Sequence, residues 1–513
     1  MRGFNPLDDV AYPNFNKDCK LYELDIDVSS RLSYHLSRTV KGNGEVYMSP
    51  VANNVDPKTI LNELDSIVEI NGKKLNPTLT ELELSQRSKF GPRSIAKPWS
   101  ERIKDIDEHF DSSKTVGNLK AIPSISKLRP LTLSNALLEL KNSTNSGLPY
   151  FTKKGKVKTR VLEKFDQLIS KEYPCILFTR TQEGMKTRSV WGYPIADTLN
   201  EMRFYSPLLQ YQKSIPYRSA LLSPDNVNQS ITNMLIKAST RPDMSLVSID
   251  FSAYDASVKS ELQMRSFDYI RGLFQSDFSD DLNFISRRFE SIPIWTPDGI
   301  RKGNHGVPSG STFTNEVDSI AQATIAKTVT SILESDFQIQ GDDGAYLLLD
   351  NAIDELYNSF TDYGLTVNRD KSYQSKNYVI YLQNLYHMDY IKNGKISGIY
   401  PIYRALNRII YQERWQDFED YDISGKDYYS IRTISILENC KHHPLFEDLV
   451  KLIVKYDKYS LDFDDQGLRK YVLMLNQTEG KDMILKHQYG TDPTGIKNFE
   501  SFKLIKKLVK GSG

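Results

Sequence analysis

Apolar and polar positions follow two different rhythms along the chain. From Met244 to Ile249 they alternate, and Asp250 closes the run, so a half-buried strand is predicted there. Two further apolar segments, Ser335–Ile339 and Ala345–Leu349, flank Gln340-Gly341-Asp342-Asp343-Gly344. An apolar segment, a glycine-bounded break and a second apolar segment predict a β-hairpin with Asp342 and Asp343 at its tip. Between these regions Val317, Ile320, Ala321, Ile325, Val329 and Leu333 recur at helical spacing. Leu199, Met202, Leu208 and Leu209 repeat that rhythm earlier, and a helix is predicted from about Ala352 to Tyr363. Tyr378–Tyr386 reads as paired strands. Trp295-Thr296-Pro297-Asp298-Gly299 reads as a turn. From about residue 400 the pattern is helical throughout. It ends in an amphipathic segment with Phe502, Leu504, Ile505 and Leu508 set against Lys503, Lys506, Lys507 and Lys510.

Composition narrows the classes. A length of 513 residues exceeds one ordinary core, so about three subdomains are expected. A hydrophobic fraction of 39% and a charged fraction of 26% suit a globular enzyme. The 3 cysteines, Cys19, Cys175 and Cys440, are far apart, which gives neither a disulfide framework nor a zinc site and points to a reducing compartment. Met1-Arg2-Gly3-Phe4-Asn5-Pro6 lacks the apolar centre of a signal peptide, and no membrane span is expected. The net charge of +1 is neutral on RNA binding, because basic residues can line a channel while acids face outward. Lys153, Lys154, Lys156, Lys158, Arg160 and Lys164 do crowd one stretch. His442-His443 is an isolated pair, expected at the surface.

The chemistry is carried by carboxylates. Two adjacent anions at a hairpin tip repel each other unless a cation neutralises them, so Asp342 and Asp343 invite a hard divalent metal. If the Met244–Ile249 strand lies beside the hairpin, Asp250 shares that metal. Two ions held about 4 Å apart clamp the attacking and leaving oxygens of a phosphoryl displacement. The working expectation is nucleotidyl transfer with two Mg²⁺ ions, for which Mn²⁺ substitutes. Asp255 follows Asp250 at the start of a predicted helix. Gly306-Val307-Pro308-Ser309-Gly310-Ser311-Thr312-Phe313-Thr314-Asn315 is a small-residue loop running into the apolar helix, where a backbone can approach a sugar-phosphate strand closely.

Asp250-x4-Asp255, Ser309-Gly310-x-Thr312-x2-Asn315 and Gly341-Asp342-Asp343, in this order, resemble motifs A, B and C of viral RNA-dependent RNA polymerases. The strings Asp-Phe-Ser-Ala-Tyr-Asp, Pro-Ser-Gly-Ser-Thr-Phe-Thr-Asn and Gln-Gly-Asp-Asp-Gly look most like picobirnavirus polymerases, with partitivirus polymerases next. Both serve small double-stranded RNA viruses. The resemblance covers about residues 145 to 415.

The resemblance implies an α+β right-hand polymerase whose palm is an antiparallel sheet backed by helices. Residues 1–95 would bridge fingers and thumb. Residues 96–240 would be mostly fingers, with motif G at Ser146 and Gly147 and motif F at Arg180, Lys186 and Arg188. Residues 241–398 would be palm with a fingers insertion at about 260–300, and residues 399–513 thumb and tail. Three cations at near-alternating positions would point one way from a strand toward a triphosphate. By resemblance Arg180 and Lys186 face that triphosphate and Arg188 lies against the base, although the assignment among the three stays open. Lys153, Lys154 and Lys156 would meet template phosphates. Asp255, Ser309, Gly310, Thr312 and Asn315 would bind the nucleotide, with its ribose read there. Lys371 stands where the family has a mobile lysine, a candidate proton donor to pyrophosphate. Tyr378–Tyr386 resembles motif E, and the lysine-rich tail would dock on RNA or on the enzyme itself. RNA, nucleoside triphosphates and viral capsid protein are the expected partners, inside the virion and in host cytoplasm.

Two rivals are weighed against this. A reverse transcriptase shares the two-metal palm but carries an aromatic residue where Asp255 stands. A particle protein that only binds RNA would have no need of the full carboxylate set.

Overall fold

The computed structural model of the chain describes residues 12–52, 54–111, 119, 122–125, 127–479 and 495–510; the Met1–Pro6 string lies outside them. The chain divides into two compact units. The first draws on residues 1–42, 97–180 and 188–382, the second on 43–96, 181–187 and 383–513.

The first unit is organised on a four-stranded antiparallel sheet in the order Tyr373–Ser375, Met244–Ile249, Asp343–Leu349, Phe337–Gln340. The alternating run therefore forms the strand it predicts, with Leu246, Val247 and Ile249 buried. Helix Thr314–Val329 backs this sheet and is buried almost all round from Glu316 to Ala326. Such burial marks a core helix rather than a surface one. Phe337 and Tyr346 stack in the same core at 6.0 Å between ring centres. The helix stops at Val329, short of Leu333, which is exposed. Thr330 turns the backbone extended there, and the chain drops into the hairpin.

A second sheet in this unit orders Thr187–Gly192, Cys175–Thr181, Ile294–Thr296 and Gly299–Arg301. Trp295, expected in a turn, instead pairs with Ile300 inside a strand and is fully buried; only Pro297 and Asp298 form the connection. Helix Ile195–Gln212 follows this sheet and tolerates Pro207 in its interior.

The second unit joins two helices from the N-terminal part, Pro57–Ile70 and Pro77–Arg87, to C-terminal helices Ile402–Ile410, Gly425–Glu438 and Phe446–Tyr456. Glu83 is its pin. Its buried carboxylate accepts the Ile402 and Tyr403 amides at 2.8 and 3.2 Å, a negative charge on a helix N-terminus. His443 lies 2.9 Å from the same carboxylate and is 4% exposed, so it is a core residue and not the expected surface histidine. The loop Thr181–Thr187 belongs to this unit: Arg93 and Arg404 hold its Glu183 at 3.2 and 3.5 Å.

Candidate active site

The acidic turn sits where two ladders end. Gln340 pairs with Asp343, so Gly341 and Asp342 are the two loop residues and Asp343 already begins the returning strand. Gly341 takes φ +64°, a left-handed conformation that suits glycine. On the neighbouring strand Ile249 pairs with Gly344. That is the last pair of the ladder, so Asp250 is the first residue beyond it, on the strand next to the one that Asp343 begins.

The helix beneath fixes the turn by name. The Gly341 amide donates to Ser319 Oγ at 2.8 Å, and the Gly341 carbonyl accepts from Gln322 Nε2 at 2.6 Å. Tyr346 Oη closes the set by donating to Gln322 Oε1 at 2.7 Å. Arg218 and Glu316, both fully buried, form a two-pronged ion pair at 2.9 and 2.8 Å alongside. None of these residues was singled out in the sequence. The signal was there in the helix itself: Glu316, Asp318, Ser319 and Gln322 interrupt an otherwise apolar run, and buried polar groups require partners.

Asp250 is anchored from the other side. Its amide donates to Ser372 Oγ at 3.2 Å, and its carbonyl accepts from Asn368 at 2.8 Å. Thr366–Val367 pairs with Phe251–Ser252. Lys371 therefore projects, exposed, from a loop pinned to the backbone of Asp250.

Asp255 lies in a short helical turn, Tyr254–Ser257, behind this edge. Its carboxyl contacts that of Asp318, and Asp342 is close enough to act on both. Burial, aided by Asp342, raises Asp255 to about 6, while Asp318 and the Arg188 guanidinium oppose the rise. Burial and then Asp255 push Asp318 well above the carboxylate range. Asp318 is thus the protonated donor and Asp255 the acceptor. Asp318 Oδ1 has no protein partner among the described residues. Asn315, the expected companion of Asp255, lies one helical turn earlier. Its Oδ1 would be 3.1 Å from a Cβ on Gly341, so it borders the turn.

The Ser-Gly loop is clamped on both faces. Ser309 Oγ donates to the Ser189 carbonyl at 3.2 Å. A Cβ on Gly310 would fall 1.6 Å from the Trp191 carbonyl oxygen, so only glycine fits. On the other face Thr312 directs both its amide and its hydroxyl to Glu201, at 2.8 and 2.9 Å.

The remaining predicted residues are less convergent. Arg180 is the last residue but one of strand Cys175–Thr181 and Arg188 is second in strand Thr187–Gly192, with Lys186 in the loop between. The three cations thus stand on a hairpin, not on one strand, because Gly184 at φ +68° turns the chain between them. Ser146 is fully buried, its hydroxyl on the Gly147 carbonyl. A Cβ on Gly147 would meet the Tyr193 carbonyl at 2.3 Å, so this pair builds the loop from inside. Lys154 donates to Thr144 Oγ1 at 3.1 Å, whereas Lys153 and Lys156 are exposed.

Carboxylates at the ends of neighbouring strands, a glycine-walled loop and a cation-bearing hairpin are the groups that a nucleotidyl-transfer enzyme requires. The comparisons agree. The family described as viral RNA-dependent RNA polymerase matches residues 96–395. A potential RNA-dependent RNA polymerase of human picobirnavirus (strain Human/Thailand/Hy005102/-) is 31% identical over 473 residues, covering 85% of this chain and 87% of the relative. The RNA-directed RNA polymerase of Cryptosporidium parvum virus 1 (strain KSU-1) is 25% identical over 57% of this chain and 65% of its own length. Among solved structures, the RNA-dependent RNA polymerase of a human picobirnavirus superposes with a TM-score of 0.79 at 27% identity, covering 95% of this chain and 99% of that one. The chain belongs to the viral RNA-dependent RNA polymerases. Its fold is the α+β right-hand polymerase fold that the motifs imply.

Proposed function

We propose that the chain copies RNA for a double-stranded RNA virus of the picobirnavirus type, in both genome replication and transcription, by two-metal-ion nucleotidyl transfer. The observation that carries this is the register of the central sheet: Ile249 pairs with Gly344 and Gln340 with Asp343, so Asp250 and Asp342 each stand one residue past the end of a ladder on neighbouring strands.

The donor set fits Mg²⁺ in its chemistry. Asp250 and Asp342, with Asp343 adjacent, offer hard carboxylate oxygens. Among the described residues no three such side chains form a closed cage. Magnesium in phosphoryl transfer is held by one or two carboxylates and completes its shell with water and substrate phosphate. When bound, the ions supply charge neutralisation for the attacking and leaving oxygens.

The chain's own residues do the rest. Arg180, Lys186 and Arg188 offer fixed cations to the triphosphate. Lys371 delivers a proton toward the leaving pyrophosphate from its loop on Asp250. Asp255, backed by protonated Asp318, accepts the hydrogen of the ribose 2′-hydroxyl, and Ser309 and Asn315 line the same approach. Lys153 and Lys156 meet template phosphates.

Residues 1–95 serve as the bridge between fingers and thumb, 96–240 mostly as fingers, 241–398 as palm with a fingers insertion at about 260–300, and 399–513 as thumb and tail. Viral capsid protein is the proposed partner, with virion interior and host cytoplasm as the sites of action. No described helix is long and apolar enough to cross a membrane.

Extension of a primed RNA template with separate rNTP and dNTP pools tests the reading. RNA-templated extension with rNTPs supports it. Extension with dNTPs alone would return the reverse-transcriptase alternative.

A further inference from the structure

Glu201 stands outside every motif, yet it takes three hydrogen bonds from the Ser-Gly loop. It lies in helix Ile195–Gln212 and is 2% exposed. Ser311 Oγ donates to its Oε1 at 2.8 Å, while the Thr312 amide and hydroxyl both donate to Oε2. Ser311 Oγ in turn accepts the Phe313 amide at 3.1 Å, just before helix Thr314–Val329 begins. All three donors on Glu201 come from two consecutive loop residues, about 110 positions away in sequence. Purely structural carboxylates of this unit look different: Asp197, one turn earlier on the same helix, is matched by the Arg288 guanidinium at 2.7 and 3.1 Å. Among the described residues Glu201 has no hydrogen-bonded cation.

We propose that Glu201 is the positioning residue of the nucleotide site, its ionised carboxylate holding Ser311 and Thr312 so that the Ser309–Thr312 loop keeps its nucleotide-accepting shape. The inference rests on reading that loop as part of the site.

Several groups face Glu201 from the elements around it. Asp197 on its own helix adds negative charge. Lys154 works in the opposite sense, and is itself drawn down to about 8 by burial and by Lys141 and Lys158. Cys175 and Tyr193 are neutral neighbours, pushed up chiefly by burial, with Arg288 acting on both. The balance raises Glu201 to about 7, burial being the main cause and the three loop donors opposing it. A raised carboxyl pKa means the folded state pays for the charge: the cost sets in above the unfolded value near 4.5 and is complete above about 7. Ionised Glu201 therefore weakens the fold while it orders the loop. The two roles separate experimentally.

Glu201→Gln removes the charge and keeps the shape. At pH 8 its melting temperature is expected to equal or exceed wild type. Its kcat/KM for rNTP incorporation should fall about 10-fold, mostly through KM, as the charge is lost and one of the two acceptor oxygens becomes an NH2 donor facing the loop. Between pH 8 and 6 wild type should lose its advantage, with a midpoint near 7, until the two proteins converge. A wild-type kcat/KM for Glu201→Gln at pH 8, or a ratio that does not change with pH, overturns the proposal. Should the variant melt lower, Ser311→Ala decides. Ser311 Oγ donates to Glu201 and accepts the Phe313 amide, so its loss loosens the loop, and normal kinetics there overturn the proposal. Gly310→Ala displaces the loop from the Trp191 side without touching Glu201. Normal kinetics in that variant would sink the reading of the loop itself; impaired kinetics beside a normal Glu201→Gln would sink only the role of Glu201.

Discussion

The Gly341–Asp343 turn and the Ser309–Thr312 loop border the same helix but are held by opposite means. The turn ends two backbone ladders and is fastened by neutral side chains, Ser319, Gln322 and Tyr346. Those bonds do not depend on any proton near neutral pH. The loop has no ladder. One face rests on backbone carbonyls of Ser189 and Trp191, and the other depends on one buried carboxylate. In the proposed function the groups that carry charge in the reaction are thus built on the support that ends two ladders. The loop proposed to accept the nucleotide hangs on contacts that depend on one ionisable group. Rigid elements place reacting groups well, whereas loops can admit and release a substrate.

The largest effect should come from the turn. Asp342→Asn, or Asp250→Asn, leaves the ladders intact but removes a ligand charge from the clamp. Extension should drop ~10²-fold or more with melting temperature nearly unchanged. Activity above a few per cent of wild type in either variant would end the two-metal assignment. Lys371→Leu should slow single-turnover incorporation by ~10² with little change in nucleotide affinity, if the loop on Asp250 delivers the proton. An unchanged single-turnover rate would leave Lys371 a surface charge.

A third test aims at the contrast itself. Gln322→Leu deletes the donor to the Gly341 carbonyl and leaves a buried oxygen unpaired, a loss of about 1–3 kcal/mol in the turn. Incorporation should fall ~10-fold or more, equally at pH 6 and pH 8. The Glu201→Gln defect, by contrast, should shrink over that interval. If the Gln322→Leu defect also varied with pH, the division between a neutral and an ionisable support would fail.

How much of this was legible beforehand follows the same division. Asp250, Asp342 and Asp343 could be read because local pattern fixes them: a strand ends, a hairpin turns, and the residue types name a metal. The strand Met244–Ile249 needed only alternation, and the hairpin only a glycine-bounded break; that the two lie side by side, and in which register, comes from the packing. Leu333 was read into the helix because periodicity carries past a terminus that Thr330 sets by its backbone. The motif F cations were placed on one strand because spacing alone cannot distinguish a strand from a hairpin. Glu201 was invisible, since its meaning comes only from donors about 110 residues away. Asp318 was half visible, a polar residue in an apolar helix whose partner only the packing shows.

The smallest expected effect concerns sugar choice, where the turn and the loop meet. In the proposed function Asp255 is the acceptor for a 2′-hydroxyl, and Asp318, pushed above the carboxylate range by burial and then by Asp255, is its hydrogen-bond partner. A deoxyribose leaves that acceptor unpaired, which is how polar sites reject an analogue lacking one hydroxyl. Asp318→Asn keeps a donor toward Asp255, because an amide N–H replaces the carboxylic O–H, so the preference for rNTP over dNTP should persist. Asp318→Leu removes that donor and should compress the ratio of kcat/KM values by ~10-fold, as should Asp255→Asn. Asn315→Ala, bordering the turn, should compress it less. Matched rNTP and dNTP kinetics on one primed RNA template give all four ratios. If Asn315→Ala moves the ratio most and Asp318→Leu leaves it alone, the sugar is read at the turn, and the carboxyl pair serves only to support the strand that ends in Asp250.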